Sequence, residues 1–385
     1  MQLQKWLWGL GPLLLLALVL LAFGWWGPLD HFQDLFPPVE QIDFERVVLR
    51  RGTFEAHVIN GGPSPTTIAQ VQVDEAYWPF TIRPRGGRLE RLERAVISIP
   101  YPWVAGEPHA IRLITSTGLT FDHEIAVATE SPIPDATYLG TFALLGVYVG
   151  VIPVFLGLLW FPFLRALGPR AWAFFLSLTM GLLVFLLLDT VAEALELAEK
   201  VPGPLQGLAV LLIGFSGTLL LLLWLGSRRR EQGGAGSSPE YVAFLIAAGI
   251  GLHNLGEGLA IGAAYATGEI ALGTFLVLGF TLHNTTEGLG IVAPLAKSHP
   301  RIGLLALLGL IAGAPTIAGA YLGGFAYSAL LGAMFFAIGA GAITQVVLEL
   351  WKLLRRQLPA GLGEPATALG IFSGLLIMYA TGLLV

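Results

Sequence analysis

From Ile302 to Leu348 the chain runs for 47 residues without one charged side chain. A bilayer core about 30 Å thick is crossed by about 20 apolar residues in a helix. The run is therefore too long for one span and too apolar for a surface that faces water. We divide it at Gly323-Gly324, into spans Ile302–Gly323 and Tyr327–Leu350. Similar runs cover Tyr138–Trp160, Ala171–Glu193, Pro204–Gly226, Tyr241–Thr267, Ile270–Ala296 and Ala366–Val385, and one more, Trp6–Trp26, stands apart near the N-terminus. Composition agrees: 55% of residues are hydrophobic and 12% charged, against about 25% charged in soluble domains. The expected architecture is a polytopic α-helical membrane protein, with one N-terminal helix, a gap, and a block of eight helices.

The basic residues orient the spans. With the N-terminus in the cytoplasm, the inner segments carry Lys5, Arg165, Arg170, Arg228, Arg229, Arg230, Lys297, Arg301, Lys352, Arg355 and Arg356, and the short outer loops carry only Lys200. Such a bias is the usual positive-inside pattern. It places residues 27–137 and the C-terminus outside, in a protein of the plasma (inner) membrane. Residues 1–26 read as an uncleaved anchor helix, with Trp6, Trp8, Trp25 and Trp26 as interfacial residues; a signal peptide is the alternative. With no cysteine, disulfides and thiolate chemistry are excluded, and a net charge of −5 argues against a nucleic-acid partner.

Residues 27–137 have a different composition, holding 15 of the 26 acidic and nine of the 21 basic residues. Apolar residues alternate at Ile68, Val71 and Val73, along Val96-Ile97-Ser98-Ile99 and Ile111-Arg112-Leu113, and in Phe121-Asp122-His123-Glu124-Ile125. Asn60-Gly61-Gly62-Pro63, Pro84-Arg85-Gly86-Gly87 and Thr117-Gly118 are turn signals between such runs. Short strands at this spacing predict an antiparallel β-sandwich outside the membrane. Tyr77-Trp78-Pro79-Phe80 and Tyr101-Pro102-Trp103 are expected in its core. His57, His109 and His123 are read as scattered surface histidines. The partner of this domain is unknown.

Two near-copies inside the block carry the chemistry: Leu252-His253-Asn254-Leu255-Gly256-Glu257-Gly258-Leu259 and Leu282-His283-Asn284-Thr285-Thr286-Glu287-Gly288-Leu289. Histidine and glutamate at i and i+4 share one helix face. His253 precedes position 268 by 15 residues and His283 follows it by 15, so a hairpin at Gly268-Glu269 sets the two motifs level near mid-membrane. Ionisable groups at that depth default to function. Two imidazoles and two carboxylates form a nitrogen and oxygen ligand set that suits Zn²⁺, Fe²⁺, Mn²⁺ or Cd²⁺.

The paired motifs resemble those of the ZIP (zinc/iron permease) family of divalent-metal transporters, whose eight helices carry a His-Asn-x-Pro-Glu-Gly signature in the fourth and a similar motif in the fifth. The resemblance covers about residues 138–385, including the helix count, the outward C-terminus and the basic loop 227–240. It implies that His253, Glu257, His283 and Glu287 bind the transported cation, with Asn254 and Asn284 beside them. This chain departs from the family pattern at Gly256 and Thr286, which replace prolines, at Asn284, where many relatives have an acid, and at Ala314, which precedes Pro315 where many carry glutamate. The outer β-domain is not part of the common pattern.

Other acids line up with a route. Asp189, Glu193 and Glu196 share one face near the outer end of the second block helix and suggest an entrance. Glu349, with Gln345 one turn earlier, suggests an exit near the inner end of the seventh. The expected function is inward transport of a divalent cation, zinc foremost, by alternating access, with no resident cofactor and no catalytic residue; the oligomer is open, a homodimer included. Two rivals are an intramembrane metallohydrolase, for which the helical His-Glu-x-x-His arrangement is absent, and a receptor displaying the β-domain, which leaves the paired motifs unexplained.

Overall fold

The structure is a computed structural model that describes residues 2–26, 39–84, 86–231, 238–267, 270–357 and 363–383. Residues 27–38 before the first strand, Arg85 of one turn signal, residues 232–237 of the basic loop, Gly268-Glu269 and Val385 lie outside the described residues. The first apolar run is one helix, α1 (Gln2–Trp26). Its leucines from Leu13 to Leu16 are exposed.

Nine strands follow: β1 (Ile42–Arg50), β2 (Thr53–Asn60), β3 (Thr66–Val73), β4 (Ala76–Tyr77), β5 (Thr81–Arg83), β6 (Arg88–Leu89), β7 (Arg94–Pro100), β8 (His109–Thr115) and β9 (Thr120–Ile125). All pairings are antiparallel. One sheet runs β1-β2-β7-β5; the other runs β4-β3-β8-β9, with β6 also paired to β3. The period-two pattern is visible in β8, where His109, Ile111, Leu113 and Thr115 are buried and the residues between them less so. Phe54, Ile97 and Ile99 from one sheet and Val71, Ile111 and Leu113 from the other share a single core. The aromatic segments sit at its margin: Trp78, Phe80, Tyr101 and Trp103 pack against it partly buried, and Tyr77 is exposed.

His109 differs from the surface reading. It is 7% exposed and packs against the rings of Phe54 and Tyr101. The reason lies in the turn before β4, where Asp74 and Glu75 both have positive φ (51° and 66°). Two-residue turns of this hand suit Asn, Asp or Gly, and the Asp74 carboxylate ties the turn down. It accepts from the Ala110 N–H at 2.9 Å and from the Tyr101 hydroxyl at 2.7 Å, and meets His109 Nδ1 at 2.8 Å. Burial pushes the Asp74 carboxyl up, but the Ala110 N–H, His109 and Tyr101 outweigh it and hold it below the usual range. The same hydrogen bond to Asp74 pushes the Tyr101 hydroxyl up to about 12. Because the folded value is depressed, the stabilisation from ionised Asp74 is present above the ordinary carboxylate range and lost as pH falls through the folded value. Acid titration followed by tryptophan fluorescence of Trp78 and Trp103 should therefore show a domain transition below about pH 4. Asp74→Asn should flatten it, and an unchanged acid limb would count against the assignment.

The remaining helices are α2 (Ala136–Arg165), α3 (Pro169–Glu199), α4 (Gly207–Glu231), α5 (Pro239–Ala266), α6 (Ile270–Val292), α7 (Ile302–Ala326), α8 (Ala329–Gln357) and α9 (Pro365–Gly382). Among the described residues, seven helices are long and apolar enough to cross a membrane, α2 to α5 and α7 to α9. Helix α6 is as long, 23 residues, but carries the polar series His283-Asn284-Thr285-Thr286-Glu287. The chain is a mostly helical, polytopic membrane protein with an N-terminal β-sheet region.

The division at Gly323-Gly324 is corrected: α7 runs through both glycines and ends at Ala326. These glycines serve contact instead of a turn. A Cβ on Gly323 would lie 2.8 Å from the Ala263 nitrogen, and one on Gly324 would collide with the Phe142 ring. Small residues let helix backbones approach in this way, and α7 packs along the length of α5. Likewise α9 packs along α3, α2 along α6, and α8 against α3, α4 and α5. The β-domain meets the C-terminal ends of α5 and α7: Arg46 Nη1 donates to the Phe325 carbonyl at 3.1 Å, and a cavity of about 380 Å³ between them is lined by Arg46, His123, Ala266, Thr267 and Phe325.

Candidate metal centre

Helix geometry brings the two motifs together as the level argument requires. His253 and His283 have ring centroids 6.3 Å apart, and ligand atoms of His253, His283 and Glu287 all lie within 4.8 Å of one another. All three are buried, at 3%, 8% and 4% exposure. Glu257, 1% exposed, completes the constellation. Its Oε1 meets Nε2 of His253 at 3.1 Å and also contacts Nε2 of His283. Its Oε2 accepts from Asn284 Nδ2 at 2.9 Å.

The two asparagines are held in the same way, each by a carbonyl of a neighbouring broken helix. Pro153 has no N–H to give to the Val149 carbonyl four residues earlier. Helix α2 widens there into a π turn, Val147–Val151, and Asn284 Nδ2 donates to Val149 O at 3.0 Å. Helix α7 is interrupted at Ala314-Pro315, and Asn254 Nδ2 donates to Ala312 O at 3.1 Å. With both amide nitrogens anchored, the Oδ1 atoms of Asn254 and Asn284 are buried without a hydrogen-bond donor. Thr316 Oγ1 and both carboxylate oxygens of Glu287 share that condition.

Buried oxygens without donors are costly unless something positive reaches them. A carboxylate is the extreme case, since an isolated buried charge costs several kcal/mol even after relaxation. The set therefore fits a divalent cation: two imidazoles, two carboxylates and amide oxygens, with no thiolate, suit zinc, iron, manganese or cadmium.

The residues that replace motif prolines have local roles. A Cβ on Gly256 would lie 2.7 Å from the Phe336 ring, so glycine admits that ring beside the site. Thr286 Oγ1 donates back to the His283 carbonyl at 2.6 Å. Helices α5 and α6 both continue through these positions.

A cavity of about 390 Å³ leads to the site, lined by Asp189, Glu193, His253, Glu257, His283 and Phe336 and, further along, by Tyr379, Gly382 and Leu383. Each residue beyond the histidines lies toward the end of the bundle that meets the β-domain. On the opposite side Glu287 faces Leu182, Leu183, Leu186, Ile250 and Met378. Past them Ile246, Ile343, Val346 and Leu350 form a packed core.

Of the suggested entrance acids, Asp189 and Glu193 line this cavity. Glu196 instead takes Lys200 Nζ at 2.6 Å. Glu349 and Gln345 are buried, at 5% and 1% exposure, and Lys352 Nζ donates to Glu349 Oε1 at 2.9 Å. Neither lines the cavity. One residue beside the centre escaped sequence reasoning: Thr190, fully buried, whose Oγ1 stands 2.9 Å from His253 Nδ1. Only its position next to Asp189 hinted at it. No protein-family model matches this chain, and no curated protein matches it either.

Proposed function

We propose that this chain carries divalent metal cations across a membrane, with zinc the foremost substrate. The observation that supports it most is the Glu287 carboxylate, buried without a donor within 4.8 Å of two imidazoles that themselves line a cavity. A carboxylate in that setting calls for a cation, and the cavity supplies a route for one. Its wall adds Asp189 and Glu193, whose charge concentrates cations at the mouth. Under this reading His253, Glu257, His283 and Glu287 ligate the ion, and the oxygens of Asn254 and Asn284 complete its shell.

Residues 138–385 then form a ZIP-like block of eight helices, with α6 spanning despite its polar series and α1 as a membrane anchor. The substrate moves inward by alternating access. The side opposite the cavity is closed by Leu182, Leu183, Leu186 and Ile250, so release requires the helices that hold the ligands to shift against α3 and α8, as other secondary transporters do. Uptake by the purified chain in proteoliposomes, with Zn²⁺, Cd²⁺, Mn²⁺ and Fe²⁺ in competition, tests the reading. Saturable uptake of at least one ion is the expected result. Absence of any uptake by folded protein would overturn it.

The orientation proposed with it has its own check. The β-domain and the C-terminus should be on one face, outside, so tags inserted at Gly118 and after Val385 should both be reached by a membrane-impermeant label in intact cells. A protected C-terminal tag would refute the nine-span arrangement.

A further inference from the structure

We propose that Thr190 is a positioning residue that selects which nitrogen of His253 is offered to the substrate cation. The inference rests on the transport reading above but concerns a residue on a different helix, α3, that touches no cation itself.

A threonine hydroxyl has one proton and can also accept. Thr190 Oγ1 lies 2.6 Å from the Leu186 carbonyl oxygen, which can only accept, so the hydroxyl proton is committed there. What Oγ1 then presents to His253 is a lone pair. The atom facing it is Nδ1, at 2.9 Å, which must carry hydrogen for the contact to be favourable. A neutral imidazole with hydrogen on Nδ1 keeps its lone pair on Nε2. Nε2 is the nitrogen turned to the other site residues, 3.1 Å from Glu257 Oε1, and an arriving cation takes the place of the proton held in that contact. The main chain of α3 thus holds hydrogen on Nδ1 through a single hydroxyl, and Nε2 is left as the nitrogen that can exchange its proton for a cation.

Burial makes the device rigid. Thr190 is fully buried and His253 is 3% exposed, so no water competes for Nδ1. The main chain that carries the ring is closely packed as well. Gly339 of α8 lies against the His253 backbone, where a Cβ would be 3.4 Å from its Cα. Without the lone pair of Thr190, a ring that binds the cation through Nε2 would leave its Nδ1–H buried without an acceptor. Orienting partners of this kind typically change metal affinity by about 10–100-fold.

The test is calorimetric titration of the purified full-length chain with Zn²⁺ and, separately, with Mn²⁺. Thr190→Val keeps the shape and removes the acceptor; Thr190→Ala removes it without the branched side chain. Both should weaken Zn²⁺ binding by about 10-fold or more. Mn²⁺, which relies more on oxygen ligands, should be affected less, so the Zn²⁺/Mn²⁺ affinity ratio falls. Thr190→Ser, which retains the hydroxyl, should restore both. A purely structural role would lower the two affinities together and would not be rescued selectively. Zinc binding by Thr190→Val and Thr190→Ala equal to the parent, an unchanged Zn²⁺/Mn²⁺ ratio, or a serine variant as weak as valine would each overturn the proposal. If the parent chain binds neither ion, the transport reading fails with it; if the parent binds and only the variants disappoint, the transport reading stands.

Discussion

Glu287→Ala protein, reconstituted into proteoliposomes, should fold and insert normally and lose metal uptake. Both oxygens of Glu287 are buried without a donor, so in the absence of substrate the carboxylate is a burden on the fold. Its removal should leave thermal stability unchanged or raised, since an unsatisfied buried polar group costs about 1–3 kcal/mol. With a cation in the site the balance reverses. The ion loses one of two full negative charges near it, in surroundings where leaving a charge uncompensated costs about 3–5 kcal/mol. At 1.4 kcal/mol per tenfold, that is an affinity loss of roughly 100-fold or more. Stability and uptake should therefore move in different directions, which a structural clamp between helices would not produce. A clamp predicts a less stable variant; a cation ligand predicts a stable, inactive one. A well-folded Glu287→Ala protein that takes up zinc normally would refute the ligand assignment, and a marked drop in its melting temperature would favour the clamp.

The parts of the centre differ in how plainly the chain announces them. The i, i+4 spacing of His253 with Glu257 and of His283 with Glu287 puts each pair on one face whatever the fold. The 15-residue offsets to either side of position 268 set the pairs level once a hairpin is assumed. Both readings use only helix periodicity, and the 6.3 Å ring separation follows from them. The strands were legible for a similar reason, because alternation with period two survives in Ile111, Leu113 and their exposed neighbours.

What was hidden depends on side chains meeting across helices. Nothing in Pro153 announces that the carbonyl it frees at Val149 will hold Asn284. Nothing in Ala312 announces that it will hold Asn254. Thr190 is one of many threonines that bond back to their own helix, and only its proximity to His253 gives that habit a consequence. Gly323-Gly324 misled in the opposite direction. Glycine in a long apolar run reads as a break, whereas inside lipid it more often marks where two helices touch.

That contact yields the largest expected effect on the fold itself. Gly258 stands one residue after Glu257, on the side of α5 that meets α7. A Cβ there would lie 2.9 Å from the Thr316 carbonyl carbon and 2.9 Å from the Ala320 nitrogen. On the facing helix, a Cβ on Gly319 would lie 2.8 Å from the Leu259 nitrogen and 3.0 Å from the Gly258 Cα. The obstacles are main chain on both sides, so no side chain can swing away and the helices themselves must separate. Overpacking usually costs about 1–3 kcal/mol, and here the upper part of that range or beyond applies, because relief requires moving a whole helix. Separation would also carry Ala312 away from Asn254, releasing an amide that flanks the site. Gly258→Leu should therefore lower the melting temperature sharply and abolish zinc binding together with uptake. Gly217→Leu is the matched control, since a Cβ on Gly217 of α4 meets nothing within 4 Å and leucine is the better helix former by about 1 kcal/mol. Comparable melting temperatures for Gly258→Leu and Gly217→Leu would show that α5 and α7 are not in the close contact described, and with them the placement of Asn254 would fall.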